Sequence, residues 1–240
     1  MLKRLEKYQL VLFAIILSFG IFFATMYATN AISKENVTVT GSAYEIVKSD
    51  SGKISFEIKV NAKTKVAAYQ LLKTQLPIVK KYLETNGIND IEIKNYHGYY
   101  TYKYNQTTGR YTNEIDFYNL NQPIEVSSKD VDKIKELTLD IQTLLDKGID
   151  ININQTSYFY SKLSDLKIDL LNKATEDAKK RASAMLKATN NKVGKIQSVK
   201  MGVFQITDVD STNVSDMGIN DTSTINKKVT AVANVVFKVK

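Results

Sequence analysis

The sequence predicts an α+β fold, with mainly antiparallel sheets packed by helices and an N-terminal transmembrane helix. Residues 54–60 and 229–239 alternate apolar with polar side chains, which is the period of a strand that buries one face. Residues 68–83 and 131–144 carry apolar side chains three and four positions apart, which is typical of an amphipathic helix. The third observation is an uncharged, apolar run over residues 10–29. A chain of 240 residues with 43% hydrophobic composition is long enough to bury a sizeable core.

The N-terminal segment determines the expected topology. Leu10 to Thr29 is twenty residues without a charge, and a helix of that length covers the roughly 30 Å hydrocarbon core of a membrane. The basic flank of Lys3, Arg4 and Lys7 favours a cytoplasmic N-terminus by the positive-inside rule. We therefore expect a cytoplasmic segment at 1–9, a membrane helix over 10–29, a linker over 30–36 and an exported, extracytoplasmic domain over 37–240.

A cleaved secretory signal is the alternative for this segment. The apolar stretch of a signal is usually about 7 to 15 residues long, which is shorter than the run in this chain. The cleavage positions after Ala28 and Ala31 have Met26 and Thr29 two residues before the alanine, so neither is an A-x-A site. We predict a single-pass anchor in the cell membrane; the alternative is secretion after signal cleavage.

The exported part is expected to open with two strands and a helix. Pro77 lies within the helical pattern and is expected to kink or divide it, since proline lacks the N–H donor and clashes with the preceding turn. Asn86-Gly87 is expected to end this helix. The predicted elements are strands over 37–43 and 54–60, a helix over 68–83 and a strand that begins at Ile91.

The same order then recurs, which predicts a duplicated strand-helix-strand unit. Ser127-x-x-Asp130 has the pattern of a capping box and is expected to start the second helix. Gly148 is expected to end it. The elements concerned are strands at 115–117 and 124–126, a helix over 131–144 and a strand over 149–153.

A third helix is predicted over 166–189. Ala174, Ala178 and Ala182 share one stripe of this helix, which permits close packing against a neighbouring element. The remaining expected elements are a strand over 196–206, an exposed loop over 207–226 and a long final strand over 229–239.

Composition argues against several kinds of chemistry. The chain has no cysteine, which excludes disulfides, thiolate metal sites and cysteine nucleophiles. Its one histidine, His97, cannot build a multi-histidine metal site, and we expect a surface or paired polar residue there. The formal net charge is +8, but no block of five like charges occurs, so nucleic-acid binding has no support. We expect no catalytic residues, no cofactor and no metal site.

One acidic loop leaves calcium binding open. The loop over 207–226 offers oxygen ligands of the kind that calcium prefers, but it lacks the glycine and the terminal glutamate of an EF-hand. The side chains concerned are Asp208, Asp210, Asn213 and Asp216.

The densest aromatic cluster surrounds His97, and it is the candidate interaction surface. Alternating tyrosines on a strand are also ordinary partners in cross-strand packing, which is the alternative role. Exposed sheet edges and aromatic surface tend to pair, so we expect a homo-oligomer, with Tyr100 and Tyr102 as preferred contacts. The cluster consists of Tyr96, Tyr99, Tyr100, Tyr102, Tyr104 and Tyr111.

Four motifs follow one another along the exported part. They are V-T-V-T-G-S-A at 37–43, the helix-Gly-Ile-x-Asp-Ile junction within 83–93, the alanine-spaced stretch 173–182 followed by Val-Gly-Lys-Ile at 193–196, and the strand over 229–239. Their order resembles the SIMPL-domain family of bacterial exported proteins over about residues 36–240. Ser42 and Lys48-Ser49-Asp50 depart from the family, which often has a second glycine and a Pro-Asp at these places.

The resemblance implies a noncatalytic envelope protein. Some members of the family are linked to oxidative-stress defence, and some assemble into ring-like oligomers. Because none of the motifs is catalytic, the resemblance supplies no catalytic residues for this chain.

We therefore predict a noncatalytic, membrane-anchored extracytoplasmic protein that acts as a binding or assembly module in the cell envelope. A stress-defence role is implied by the resemblance alone. The partners expected are the membrane and further copies of the chain, while a specific protein or glycan partner is left open. The alternative is an envelope enzyme that uses carboxylates or tyrosines, such as a glycan hydrolase. Such an enzyme needs two facing carboxylates about 5 to 10 Å apart.

Overall fold

The computed structural model describes residues 2–32 and 35–240 and confirms the α+β fold with mainly antiparallel sheets. The predicted linker over 30–36 includes Ser33 and Lys34, which lie outside the described residues. The helices are α1 Leu2–Ile32, α2 Lys65–Thr85, α3 Val131–Asp140, the 3₁₀ helix η1 Ile141–Lys147 and α4 Leu163–Lys187. The strands are β1 Asn36–Lys48, β2 Ser51–Ala62, β3 Asp90–Ile93, β4 His97–Asn105, β5 Arg110–Ser128, β6 Asp150–Phe159, β7 Val193–Met201, β8 Gln205–Asp208, β9 Ile219–Asn220 and β10 Asn226–Val239.

The chain divides into two units. One comprises the chain up to Ala43 together with 169–203 and 231–240, and the other comprises 44–168 and 204–230. We call them the anchor unit and the sheet unit. β1, α4 and β10 each contribute residues to both units.

The main sheet of the sheet unit has the strand order β3-β5-β2-β6, and each of these pairs is antiparallel. β2 and β5 lie at the centre. The segment β2-α2-β3 ends with a strand that pairs with β5, and the segment from β5 through α3 to β6 ends with a strand that pairs with β2, as in split βαβ arrangements. Alternate residues of the central strands face α2 and α3, η1 packs against β6, and together these elements form one apolar core. Its fully buried members include Ile54, Phe56, Ile58, Ile124, Val126, Val79, Leu83, Ile134, Ile141 and Leu144.

The two helix-to-strand junctions share one geometry. Gly87 and Gly148 follow α2 and η1 in the left-handed region, with φ of 74° and 72°. After each glycine, an isoleucine N–H donates to the carbonyl of a leucine five positions earlier, at 3.0 and 3.1 Å, which is the Schellman motif that glycine favours. The predicted helix ends are therefore confirmed. The duplication of the whole unit stays a prediction, since β3 has 4 residues and β6 has 10.

Three local expectations differ from the structure. α2 continues through Pro77 and is not divided there, because the cost of the missing N–H is offset by the side chains that this helix buries in the core, while a kink at Pro77 stays a prediction. The N-cap of α3 is Asp130, whose carboxylate accepts the N–H groups of Asp132 and Lys133, so Ser127 starts no capping box. The separate strands predicted at 115–117 and 124–126 are parts of β5.

Two boundaries of the last third also differ from expectation. The strand predicted over 196–206 is split into β7 and β8 by residues 202–204, and Gly202 donates its N–H to the carbonyl of Val232 at 2.8 Å. The loop over 207–226 includes the short strand β9, which pairs with β8 in parallel. The predicted loop is therefore partly a sheet edge.

In the anchor unit, α4 packs against β1 through small residues. Ala174, Ala178 and Ala182 are fully buried. A Cβ added to Gly41 of β1 would lie 2.1 Å from the carbonyl oxygen of Ala174 and 2.4 Å from the amide nitrogen of Ala178. β1 therefore approaches α4 so closely that only glycine fits at this position.

A charged contact accompanies this close approach. Ser42 donates its N–H to Oδ2 of Asp177 at 2.9 Å, and Arg181 donates Nε to the same oxygen at 2.7 Å. The hydrogen bond from Ser42, assisted by the charge of Arg181, lowers the pKa of Asp177. The contact fixes the position of β1 along α4.

In the sheet unit, a buried lysine organises the end of the long loop. The Lys227 side chain is 5% exposed, and its Nζ donates to the carbonyls of Asp221 and Thr224, both at 2.7 Å. Burial lowers the pKa of Lys227, although the Asp221 carboxylate, 3.8 Å from Nζ, opposes this shift. Burial disfavours the charged form of Asp221 too, but hydrogen bonds from Ser223 and Thr224 and the charge of Lys227 lower its pKa to about 2.

Gly41→Ala is expected to lower the free energy of unfolding by about 3 kcal/mol, because the new methyl group collides with the α4 backbone. Ser42→Ala is the matched control, because it keeps the N–H that Asp177 accepts and should cost less than about 0.5 kcal/mol. Urea unfolding of the full chain in detergent measures both variants. Equal stability of Gly41→Ala and the wild type would contradict the packing described here.

Asp221→Asn is expected to lower the free energy of unfolding by about 3 kcal/mol at pH 7, because it leaves the buried Lys227 ammonium without its counter-charge. A carboxylate with a lowered folded-state pKa stabilises the fold above the unfolded-state pKa, and this contribution is lost as the pH falls from about 4 to about 2. Between pH 4 and pH 2, the free energy of unfolding of the wild type should therefore fall by about 2 kcal/mol more than that of Asp221→Asn.

Asp210→Asn, in the exposed part of the same loop, is the control for this pH series. Unfolding curves recorded at successive pH values provide the comparison. The interpretation fails if Asp210→Asn and Asp221→Asn lose the same stability at pH 7, or if Asp221→Asn keeps the wild-type slope between pH 4 and 2.

Candidate functional site

The tyrosine cluster lies on a hairpin that extends beyond the main sheet. β2 ends at Ala62, which pairs with Tyr118, whereas β5 continues back to Arg110. Within the described residues, positions 110–117 of β5 pair with β4 alone. We call the hairpin of residues 99–119 the arm; its part over 101–117 is a two-stranded ribbon beyond the end of β2.

A tight turn closes the arm. Asn105 accepts the N–H groups of Thr107 and Thr108 on its side-chain oxygen, at 2.9 and 3.2 Å. Gly109 donates its N–H to the carbonyl of Asn105 at 2.9 Å and has a φ of 65°, a conformation that favours glycine. Asn105 and the Q-T-T-G stretch at 106–109 therefore fix where the chain reverses.

One side of the arm is apolar, and we call it the aromatic face. Alternation on β4 puts Tyr100, Tyr102 and Tyr104 on the same side. A register shift at Asp116 brings Ile115 opposite Tyr102, and the tip pair joins Tyr104 to Tyr111 with ring centroids 5.2 Å apart. The five exposed members are Tyr100, Tyr102, Tyr104, Tyr111 and Ile115, between 45% and 71% exposed.

The opposite side of the arm carries mainly polar side chains, although Phe117, which pairs with Thr101, lies there too. Lys103 and Glu114 form an ion pair of 2.9 Å across the two strands, and their hydrogen bond raises the pKa of Lys103 and lowers that of Glu114. Asn119 donates its side-chain amide to Thr101 Oγ1 at 2.7 Å. Tyr99 lies on this side, opposite Asn119, so it is separated from the other tyrosines of the strand. The two sides of the arm thus differ in chemistry.

Contacts at the base hold the arm to the sheet. Lys63 donates Nζ to the carbonyl and the carboxylate of Asp116, at 3.0 and 3.1 Å, at the point of the register shift. Tyr118 is buried, and its ring lies 4.8 Å from that of Tyr100 in an edge-to-face arrangement. Gly98 makes room for it, because a Cβ there would lie 2.5 Å from the Tyr118 hydroxyl.

Tyr96 precedes β4 and belongs to a small apolar notch at the arm base. Its ring lies 5.9 Å from that of Tyr69 on α2, and both side chains are about half exposed. The notch has a volume of about 230 Å³ and is lined by Lys65, Val66, Tyr69, Tyr96 and Leu120.

The structure therefore divides the predicted cluster into three groups. Tyr100, Tyr102 and Tyr104 share one face, Tyr99 lies on the other face, and Tyr96 joins the notch. Sequence reasoning missed Ile115, because the register shift that brings it opposite Tyr102 leaves no trace in the alternation pattern. Sequence reasoning also missed Tyr69. The one signal that could have indicated it is the presence of a large aromatic side chain outside the apolar stripe of α2.

His97 starts β4, where it is exposed, lies beside the tyrosines and pairs with Asn121 across the strands. Across residues 2–32 and 35–240, no group of three or more His, Asp or Glu side chains is placed to hold a metal ion. In the 207–226 loop, Asp208 accepts the N–H of Asp210 at 3.1 Å and so closes a local turn.

The predicted membrane helix lies within α1. Residues 11–28 have a mean hydropathy of 2.3, and all of their side chains are exposed. By length and composition this helix is able to cross a membrane, and a signal sequence near an N-terminus has the same features. The structure thus confirms the apolar helix and leaves the choice between anchor and signal open.

Comparison with known protein families gives a match over residues 37–237. This range matches the model of the SIMPL family, which is described as "Protein of unknown function (DUF541)". The search of curated proteins found no match. Because the matched range covers most of the chain and contains both the arm and the close contact between β1 and α4, the chain belongs to the SIMPL family.

Proposed function

We propose that this protein is a noncatalytic binding or assembly module, held at the membrane by α1, with residues 37–240 on the extracytoplasmic side. The observation that carries the proposal is the aromatic face of the arm. Five apolar or aromatic side chains lie together on a ribbon that projects past the sheet, and exposed clusters of this kind mark interaction sites in soluble domains.

A second copy of the chain is the partner that we propose for this face. Tyrosine is enriched at protein interfaces because it offers a large, stiff contact area together with a polar hydroxyl group. The arm also presents unpaired strand edges, since 110–117 pair with β4 only within the described residues, and edges of this kind add strands from another chain. Self-association, and the stress-defence role implied by the resemblance, remain proposals.

The basic flank of α1 supports the proposed orientation. Lys3, Arg4 and Lys7 precede the apolar stretch, and the positive-inside rule places such a flank in the cytoplasm. The length of the stretch favours an anchor over a cleaved signal.

The alternative, a glycan hydrolase, needs one carboxyl group whose pKa is raised, so that it donates a proton at neutral pH. Glu57 and Glu125 are acidic side chains on neighbouring strands of the main sheet. The hydrogen bond from Lys53 and a second from Lys94 lower the pKa of Glu125. This direction is opposite to the one that a general acid requires, so Glu125 does not fit that role.

The first test concerns topology. Intact protoplasts are treated with protease, and the domain of residues 37–240 is expected to be digested while α1 stays protected in the membrane. A known cytoplasmic protein serves as the control for lysis. Protection of the domain, under conditions that digest a known surface protein, would show the orientation to be wrong.

The second test concerns the aromatic face. The double variant Tyr102→Ser/Tyr104→Ser is expected to convert an oligomer into single chains, because it removes two of the exposed rings from the proposed contact. Light scattering on the detergent-solubilised full chain, over a concentration series, measures the mass.

Tyr99→Ser is the matched control, since it removes an exposed tyrosine from the polar side of the same ribbon and should leave the mass unchanged. A wild-type chain that stays monomeric at high micromolar concentration, or a control variant that dissociates as fully as the double variant, would contradict the proposal.

A further inference from the structure

The sheet unit contains a groove that is separate from the arm. Its floor is formed by outward-facing side chains of β1, β8 and β10, and one wall is formed by residues 209–214. We call it the loop groove. Its volume is about 490 Å³, within the range of small-ligand sites, which is about 300–1,000 Å³.

Hydrogen bonds hold the wall in place. Lys228 donates Nζ to the carbonyls of Val209 and Ser211, at 2.9 and 2.8 Å. Gln205 forms a reciprocal pair with Ser215, donating to its carbonyl at 2.7 Å and accepting its N–H at 3.3 Å. Both ends of the wall are therefore tied to the floor, so the groove is formed before any ligand arrives.

The lining combines the aromatic ring of Tyr44 and aliphatic side chains with neutral polar groups and the Lys228 ammonium, which is bound to the wall. The aliphatic members are Ile46, Val209 and Val214. Tyr44 is 66% exposed and stands beside Ile46 at one side of the groove. The side chains of Thr212, Asn213 and Thr230 have no hydrogen-bond partner within the described residues, so their donors and acceptors are available to a ligand. Among the described residues, no carboxylate lines the groove.

Between β8 and β10 the floor offers no backbone edge to a peptide. Thr230 pairs with Gln205 and Lys228 pairs with Thr207, so the facing main-chain groups of these two strands are already used within the sheet. Over this part of the groove a ligand contacts side chains, with an exposed aromatic ring on one side and hydroxyl and amide groups on the other. This combination matches a sugar ring, which has an apolar C–H face and a rim of hydroxyl groups.

We propose that the loop groove binds a pyranose saccharide, with the sugar ring stacked on Tyr44 and its hydroxyl groups hydrogen-bonded to Thr230 and to the 212–213 segment. This site is independent of the aromatic face and of self-association. Loss of one function by mutation should leave the other intact.

The experiment uses the full chain in a phosphocholine detergent, since detergents with sugar headgroups would compete for the site. Chitotetraose and maltotetraose are the saccharide probes, and tetra-alanine is the peptide probe. Calorimetry measures binding, and tyrosine fluorescence reports it directly, because the chain has no tryptophan. At least one saccharide is expected to bind with millimolar or tighter affinity.

Tyr44→Ala is expected to weaken this binding about tenfold, and Thr230→Val about threefold. Tyr99→Ala, an exposed tyrosine of the arm, is the control and should bind as the wild type does. Unchanged melting temperatures verify that each variant is folded.

Three results would overturn the proposal. The first is no binding of either saccharide at concentrations up to about 10 mM, which corresponds to a negligible affinity. The second is wild-type affinity in both Tyr44→Ala and Thr230→Val. The third is binding of tetra-alanine, and of neither saccharide, in a manner that depends on Tyr44.

Discussion

The difference in length between two central strands of the sheet unit produces the most distinctive surface of this protein. The Thr64 hydroxyl accepts the N–H of Ala67 and starts α2 just after β2 ends at Ala62, so β2 supplies no partner for residues 110–117. β4 alone pairs with them in the described part of the chain, and a two-stranded ribbon has no layer above or below it that could bury side chains. Apolar side chains that would belong to a core in a wider sheet are therefore exposed on the arm.

A ribbon of two strands is marginally stable by itself, so the contacts at its base matter as much as its own pairing. The ion pair between Lys63 and Asp116 fixes the position of the register shift, and the buried ring of Tyr118 supports Tyr100 from below. The same logic applies in the anchor unit, where Gly41 allows the closest approach between β1 and α4. The motifs that carry the family resemblance are thus packing motifs, so they identify the fold and do not identify a reaction.

Local patterns predicted most elements of this fold, because strand alternation, helical periodicity and glycine helix ends depend on neighbouring residues only. The errors have two sources: α2 tolerates Pro77 through side chains that it buries in the core, whereas the cap of α3 is a local choice in which Asp130 replaces Ser127. The aromatic cluster could be found from the sequence, and alternation on β4 separates Tyr99 from Tyr100, but the place of Ile115 opposite Tyr102 could not be predicted, since a register shift at Asp116 decides it. The loop groove was beyond sequence reasoning altogether, because Tyr44 and Thr230 lie far apart in the chain and meet only through the pairing of strands.

The arm and the groove depend on the anchor in different ways. A face of five side chains is small beside an interface of standard size, roughly 1,200 Å² or more, so we expect association through the arm alone to be weak and to need the high micromolar concentrations of the light-scattering series. Retention of α1 in a membrane confines the chains to one plane and raises their effective concentration, which makes a weak contact sufficient for assembly. A chain released by signal cleavage would carry the same arm but lose this advantage. In the proposal for the loop groove, a saccharide makes a one-to-one contact, so we expect its affinity not to change with anchoring. If both proposals hold, the fate of α1 determines how strongly the aromatic face associates and leaves the groove unaffected.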